Sequence, residues 1–356
     1  MLPIWSVGLP LVAATFLGLG LGWGLAGVGL WLGAAALMGA VLASVHHAEV
    51  VAHKVGEPLG TLVLAVAITV IEVSLIVSLM LAGGPDKAAL PRDTIFSAVM
   101  IICNGVVGLC LLSGGLRHQV QTFRTEGVNG GLAALVALST LSLVLPTFTT
   151  SSAGPTYTPA QLAFAAAASL ALWLVFVFVQ TVRHRDFFLP EDDAHDPHVH
   201  AAPPSTAQTW ASLGLLMVAL VSVVGLAKLL SPSIEQAVAQ AGAPKAVVGV
   251  AIALLVLLPE TWAAVRAAAA NRLQTSLNLA IGSALASIGL TIPAVAVAAL
   301  WLDMPLVLGL SNKDLVMLGL TFLVSAITFA QGRTNMLQGA VHLVIFASFL
   351  FLALVP

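Results

Sequence analysis

Two isolated glutamates lie inside long apolar stretches of this 356-residue chain. Glu72 is the only ionisable residue between Leu59 and Leu81. Glu260 follows Pro259 in a second apolar stretch. About twenty consecutive apolar residues are enough for a helix to span a bilayer. A carboxylate inside such a span is unfavourable by several kcal/mol unless it is protonated, paired or hydrated. We therefore interpret both glutamates as functional groups that bind cations within a membrane.

Each glutamate also has a plainer interpretation. Glu72 could be a lone acid that stays neutral or accepts a hydrogen bond from a neighbouring helix, and Glu260 could mark a structural kink. Pro259 removes a backbone hydrogen bond and frees carbonyl groups beside the carboxylate. Carboxylate, carbonyl and amide oxygens are the ligands that Ca²⁺ prefers. One divalent cation or two protons neutralise two carboxylates equally well, so the functional interpretation predicts an exchange of one for the other.

The composition excludes a soluble globular domain. Hydrophobic residues make up 59% of the chain, charged residues only 8%, and the mean hydropathy is +1.05. The net charge of −2 and the absence of a basic cluster give no indication of nucleic-acid binding. Cys103 and Cys110 are seven residues apart in one apolar run, too far along a helix for a disulfide with each other.

Apolar blocks recur along the whole chain and predict an all-α polytopic membrane protein with about eleven spans. The predicted spans are 4–21, 24–46, 57–82, 94–114, 129–146, 160–182, 209–230, 245–268, 274–300, 314–330 and 336–355. Of the 13 Lys and Arg residues, the larger number falls in loops on the side of the N-terminus. The positive-inside rule therefore predicts a cytoplasmic N-terminus and an external C-terminus.

A polar segment, residues 183–208, divides the chain and is rich in acidic residues and histidine. It is predicted to be a flexible cytoplasmic linker. Residues 1–22 form the first span, and residues 23–182 and 209–356 hold five spans each. An odd number of spans gives the two halves opposite orientations, as in the inverted repeats of many secondary transporters. Glu72 and Glu260 fall in the second span of their halves.

Four neutral side chains are candidate ligands beside the glutamates. Thr69 lies one helical turn before Glu72 on the same face. Asn104 lies in the middle of the next span, and Ser283 and Ser287 lie in the corresponding span of the second half. For the two serines, a hydrogen bond to the carbonyl group four residues earlier is an equally good interpretation.

The densest ionisable run near a membrane face contains His47, Glu49, His53 and Glu57. Its spacing lacks the His-Glu-x-x-His pattern of zinc proteases, so metal-dependent hydrolysis is not predicted. Two interpretations stay open for the run. It forms a cytoplasmic entrance for ions, or it is a solvated helix end.

Several stretches resemble the bacterial calcium/proton antiporters, a branch of the cation/proton exchanger family in the calcium:cation antiporter superfamily. These stretches are His47-Ala48-Glu49, Gly56 to Leu62, Thr69 to Val73, Leu258 to Thr261, Asn271 to Asn278 and Gly282 to Ser287. The resemblance implies eleven helices with two inverted five-helix repeats in a bacterial inner membrane. It implies that Glu72 and Glu260 are paired acids that carry Ca²⁺ or protons, with Asn104, Ser283 and Ser287 at the small polar positions.

The sequence thus favours a secondary transporter that exchanges cytoplasmic Ca²⁺ for external protons by alternating access. The alternative is a Na⁺(K⁺)/H⁺ antiporter that uses the same acids. Thr69 and Leu257 stand where many relatives outside the bacterial branch have Asn, and this difference leaves the coordination shell, and hence the ion selectivity, open. A channel is disfavoured because no filter loop or ring of acids is visible, and an enzyme because the spans lack a nucleophile–base or metal set. The predicted partners are Ca²⁺, protons and the lipid bilayer, without a cofactor, and a homo-oligomer stays open.

Overall fold

The computed structural model describes residues 2–56, 59–189, 204–240, 242, 244 and 246–355, and nearly all of them are helical. The helices are α1 Ile4–Trp23, α2 Val28–Val55, α3 Leu59–Gly83, α4 Leu90–Met100, α5 Val107–His118, α6 Thr125–Ser139, α7 Leu145–Phe148, α8 Pro159–Phe178, α9 Thr206–Gln240, α10 Ala246–Ala269, α11 Leu273–Trp301, α12 Asn312–Phe329 and α13 Met336–Leu354. Two short strands, β1 Val120–Thr122 and β2 Arg333–Asn335, pair antiparallel.

Every predicted span has a helical counterpart. Within the described residues, nine helices are long and apolar enough to cross a membrane, and α10 is a tenth if its two arms count as one span. The described apolar part of α3, Val66–Leu81, is shorter. Three spans include a π-helical segment, at Ile101–Val106, Thr140–Val144 and Val179–Arg183. The all-α polytopic fold class is therefore confirmed.

The first 45 residues form two helices, as predicted, but the turn lies later than expected. α1 continues to Trp23, and the chain reverses between Gly24 and Gly27, whose φ angles are 74° and 53°. Glycine adopts these positive φ angles without the strain that a side chain would add. α2 then runs to Val55, so that it includes His46 and His47, which the sequence placed at the end of the span or beyond it.

The described residues divide into two compact units. The first unit, Met1–Lys87 with Ala201–Val248, is built on α2, which packs against α1, α3 and α9. Small residues allow these helices to approach closely. A Cβ atom on Gly39 would lie only 2.9 Å from Cδ2 of Leu9.

The second unit, Ala88–His200 with Gly249–Pro356, is built around α11, which packs against α4, α5, α6 and α8. At one end of this unit the backbone N–H of Arg124 donates to Oε1 of Gln274 over 2.7 Å. At the other end the N–H of Val307 donates to the carbonyl oxygen of Ala88 over 2.9 Å. The α4–α5 span therefore ends where α11 begins, and the two run in opposite directions. Inverted repeats require this of their third spans, although the repeat boundaries themselves stay a prediction.

The beginning of the predicted linker is ordered. Arg185–Phe188 forms a 3₁₀ turn, and the ring of Phe188 packs against Phe176 with a centroid separation of 5.9 Å. The amide of Asn278 donates to the carbonyl oxygen of Phe188. The expectation of a flexible segment from residue 183 is thus wrong for residues 183–189, because aromatic packing and a side-chain hydrogen bond hold them against α8 and α11. Residues 190–203, with the linker histidines, lie outside the described residues.

Candidate functional site

Glu72 lies in the middle of α3, within the first unit, and only 4% of it is exposed. Thr69, Ile76 and Leu79 lie on the same face of the helix and are also buried, as the helical spacing predicted. This face turns into the unit, where α3 packs against α2 and α9. The carboxylate is therefore enclosed by protein, the position in which intramembrane acids have a function by default.

Glu260 lies at a bend of α10, in the second unit. The two arms of the helix meet at Pro259 with a bend of 54°. Proline has no N–H to donate to the carbonyl group four residues earlier. In addition, the hydroxyl group of Thr261 donates to the carbonyl oxygen of Leu257 over 2.7 Å, a type of bond that bends helices. Proline thus leaves one backbone carbonyl group without its usual helical partner, about one turn before the acid.

The surroundings of Glu260 on its own helix are apolar. Glu260 is 8% exposed, and Val256 and Ala264, one turn away on either side, are 4% and 0% exposed. An ionised carboxylate in such a place requires a cation, a proton or polar groups from other elements. Its role as a site for a cation or a proton stays a prediction.

The two candidate serines of α11 differ in burial. Ser287 is 6% exposed, whereas Ser283, one turn earlier, is half-buried. Both belong to the same unit as Glu260. Their role as ligands stays a prediction, and burial favours Ser287.

Asn104 lies in the π-helical segment between α4 and α5 and is fully buried. Its Nδ2 donates to the hydroxyl oxygen of Thr321 over 2.9 Å, and its Oδ1 lies 3.2 Å from Nδ1 of His342. Nε2 of the same imidazole lies 3.1 Å from the hydroxyl oxygen of Thr328. Both ends of the amide are therefore engaged by side chains of α12 and α13. Asn104 thus links three spans through hydrogen bonds. Its predicted role as a cation ligand stays a prediction.

Sequence reasoning overlooked most of this buried polar cluster. His342 is a histidine inside a span, and Asn104, one of its partners, lies 238 residues away in the chain. The signal was a stripe of hydroxyl groups on α12. Thr321, Ser325 and Thr328 recur at helical spacing and are all at most 2% exposed.

Not all residues of the predicted entrance at the end of α2 are accessible. His47 is fully buried, and its Nε2 lies 2.8 Å from the carbonyl oxygen of Ser6 in α1. The neighbouring His46 packs against Trp5 with a centroid separation of 4.9 Å. His47 therefore lies in a contact between two helices instead of facing an open entrance or solvent.

The remaining entrance candidates have different positions. Glu49 and His53 are exposed on α2, so that their predicted role at an entrance stays a prediction. Glu57 lies outside the described residues. Elsewhere too, in the part of the chain that the structure describes, no three His, Cys, Asp or Glu side chains converge on a common point.

The stretch around the start of α11 has a structural role. Asn271 adopts a φ angle of 60°, and its Oδ1 accepts a hydrogen bond from Nε2 of Gln121 over 2.9 Å. Gln274 accepts from the backbone of Arg124, and its own amide donates to Asn278 over 2.8 Å. These polar residues attach the start of α11 to the segments around it, and α11 in turn carries the two candidate serines.

A polytopic helical fold with single buried carboxylates in two of its spans is typical of membrane transporters of cations. The chain belongs to the sodium/calcium exchanger protein family, whose family model matches residues 25–182 and 211–355. These two stretches fall close to the predicted halves, residues 23–182 and 209–356. The resemblance to the calcium:cation antiporters is thus confirmed.

Curated relatives cover most of the chain. A protein of Sinorhizobium fredii, y4hA, described as an ionic transporter, is 48% identical over 99% of this chain and 97% of its own length. The sodium-potassium/proton antiporter ChaA of Escherichia coli is 35% identical over 88% of this chain and 85% of its own. The Ca²⁺/H⁺ antiporter of Aphanothece halophytica is 27% identical over 70% and 71%.

Solved structures share the fold at low sequence identity. YfkE in its native form superposes with a TM-score of 0.72 at 16% identity, covering 98% of this chain and 99% of its own. The H⁺/Ca²⁺ exchanger CAX gives a TM-score of 0.69 at 12% identity, covering 96% and 87%. At these identities the similarity establishes the fold of a cation exchanger.

Proposed function

We propose that the protein exchanges cytoplasmic Ca²⁺ for external protons by alternating access, and that Glu72 and Glu260 carry either cargo. The burial of a single glutamate in the second span of each predicted half supports this proposal most directly. Both side chains are less than a tenth exposed. The proposal includes an inner-membrane location, with the end that bears β1 and β2 facing the cytoplasm.

The charges make exchange the natural transport reaction. Two bare carboxylates are costly to keep in a low-dielectric interior. One Ca²⁺ ion or two protons neutralise them equally, so the loaded forms are the ones that can cross. Protons and Ca²⁺ therefore compete for the same two carboxylates.

Oxygen donors near the acids fit a hard cation. Thr69 supplies a hydroxyl group beside Glu72, and the bend at Pro259 supplies backbone carbonyls beside Glu260. Ca²⁺ takes six to eight oxygen ligands, from carboxylates, carbonyls and water. Ser287 is a further candidate from α11.

Proton-driven uptake of ⁴⁵Ca into everted membrane vesicles tests this proposal. We expect Glu72→Gln and Glu260→Gln each to reduce uptake to the level of vesicles without the protein, because glutamine cannot neutralise a cation or carry a proton. Glu126→Gln is the matched control, since Glu126 is exposed at the start of α6. Normal uptake by both site variants would show that the assignment of the acids is wrong.

A second candidate function is Na⁺ or K⁺ exchange for protons through the same acids. The greater identity to ChaA than to the Ca²⁺/H⁺ antiporter of Aphanothece halophytica, 35% against 27%, favours it. Adding each cation in turn to vesicles with an imposed pH gradient distinguishes the two functions. Dissipation of the pH gradient by Na⁺ or K⁺, with none by Ca²⁺, would show that the cargo is the monovalent cation.

A further inference from the structure

A groove at the β1–β2 end of the second unit plays no part in the proposed transport chemistry. Its volume is about 380 Å³, and it lies between the last turns of α5 and α10. It is lined by Arg117, Trp262, Val265, Arg266, Ala269 and Ala270. Two guanidinium groups, one indole and small apolar side chains thus meet where a membrane span ends.

The residues from α10 follow one face of the helix. Trp262, Val265, Arg266 and Ala269 recur at intervals of three and four residues. Trp262 precedes Arg266 by one turn, lies nearer the centre of the span and is 73% exposed. An exposed indole near the end of a span is typical of the membrane–water interface. From the centre of the span towards its end, apolar side chains on this face are followed by a cationic one. A lipid has the same order, with its acyl chain followed by its headgroup.

The guanidinium groups have unused hydrogen-bonding capacity. Arg266 is exposed and makes no hydrogen bond or ion pair with any residue that the structure describes. Arg117 makes one long contact, 3.5 Å from its Nη1 to the carbonyl oxygen of Ala269. The planar fork of a guanidinium group matches the oxygens of a phosphate and can bind two of them at once.

The end of α10 does not cancel this positive charge. The last carbonyl groups of a helix carry partial negative charge and would repel an anion. Here Nε2 of His118 lies 3.1 Å from the carbonyl oxygen of Ala269, and Nε2 of Gln121 donates to that of Ala268 over 3.0 Å. Side chains thus cover the carbonyl groups nearest the groove.

We propose that this groove binds the headgroup of an anionic phospholipid. The phosphate lies between Arg117 and Arg266, and an acyl chain follows Trp262 and Val265. Basic pockets between transmembrane helices recognise anionic headgroups in this way. A free phosphate ion presents similar oxygens to the guanidinium groups but cannot use the apolar wall, so the lipid is the favoured occupant.

Native mass spectrometry of the purified full chain tests the proposal, by titration with phosphatidylglycerol or phosphatidylcholine of identical acyl chains. We expect roughly 25-fold tighter binding of phosphatidylglycerol, since each of the two basic groups contributes about fivefold. The double variant Arg117→Gln/Arg266→Gln should lose this preference. Arg333→Gln should keep it, because Arg333 is exposed at the same end but does not line the groove.

Three results would overturn the proposal. Equal affinity of the unaltered chain for both lipids would show that the headgroup is not selected. An equal loss in Arg333→Gln would reduce the effect to net charge. Competition by inorganic phosphate as strong as that by phosphatidylglycerol would indicate a free-anion site. If the glutamine pair does not fold, Arg117→Lys/Arg266→Lys replaces it and should keep part of the preference, because lysine keeps the charge without the fork.

Discussion

Glu72 and Glu260 are both single buried acids, but their backbones differ. Glu72 lies within α3, which is continuous over Leu59–Gly83, whereas Glu260 lies at the 54° bend of α10. In a continuous helix the backbone carbonyls are used within the helix. At a proline bend some of them are free. We infer that only side-chain oxygens bind a cation together with Glu72, whereas backbone carbonyl oxygens can also do so beside Glu260.

Shortening each acid by one methylene group should give the largest difference in transport between the two sites. We expect Glu72→Asp to lower ⁴⁵Ca uptake by about 100-fold and Glu260→Asp by about tenfold, since a displacement near 1 Å can cost 100-fold where nothing compensates. Glu126→Asp, at an exposed position, is the control. Equal losses at the two acids would show that the bend supplies no ligands.

Removing the bend is the next largest test. Pro259→Ala restores a backbone N–H and should straighten α10. We expect uptake to fall about tenfold, while the melting temperature rises, because proline is unfavourable in a helix interior. Pro293→Ala is a matched control, since Pro293 lies inside α11 without an adjacent acid. Unchanged uptake in Pro259→Ala would refute a role for the bend in transport.

The neutral cluster around Asn104 should affect stability more than transport. We expect Asn104→Leu to lower the free energy of unfolding by about 2–4 kcal/mol and Thr321→Val by about 1–2 kcal/mol, because buried polar partners are left unsatisfied. The Ca²⁺ concentration for half-maximal uptake should change less than twofold in both. A large increase in Asn104→Leu alone would make Asn104 a cation ligand after all.

The smallest expected effect separates the two serines. Loss of one oxygen ligand corresponds to about 1 kcal/mol, so Ser287→Ala should raise the half-saturating Ca²⁺ concentration about fivefold. Ser283→Ala, at a half-buried position, should leave it nearly unchanged. A larger effect of Ser283→Ala than of Ser287→Ala would make Ser283 the ligand instead of Ser287.

Local pattern was sufficient for much of the fold. Apolar runs of bilayer length predicted the helices, and the first two were recognised as separate helices although only four residues, Gly24–Gly27, lie between them. The ordering of residues 183–189 was not predictable, because it depends in part on Asn278, which lies 90 residues from its partner Phe188 in the chain. The same holds for His47, whose buried partner lies at the start of α1.

The sequence by itself determined that this chain spans a membrane many times and keeps a single acid inside two of its spans. Hydrophobicity and charge are properties of each residue, and insertion into a bilayer depends on them directly. Only the tertiary structure decided how the other polar groups are used. It closed the amide of Asn104 between Thr321 and His342, and brought Arg117 beside Arg266. Hydrogen bonds and charge clusters depend on which helices are neighbours, and helix packing, not local composition, sets that.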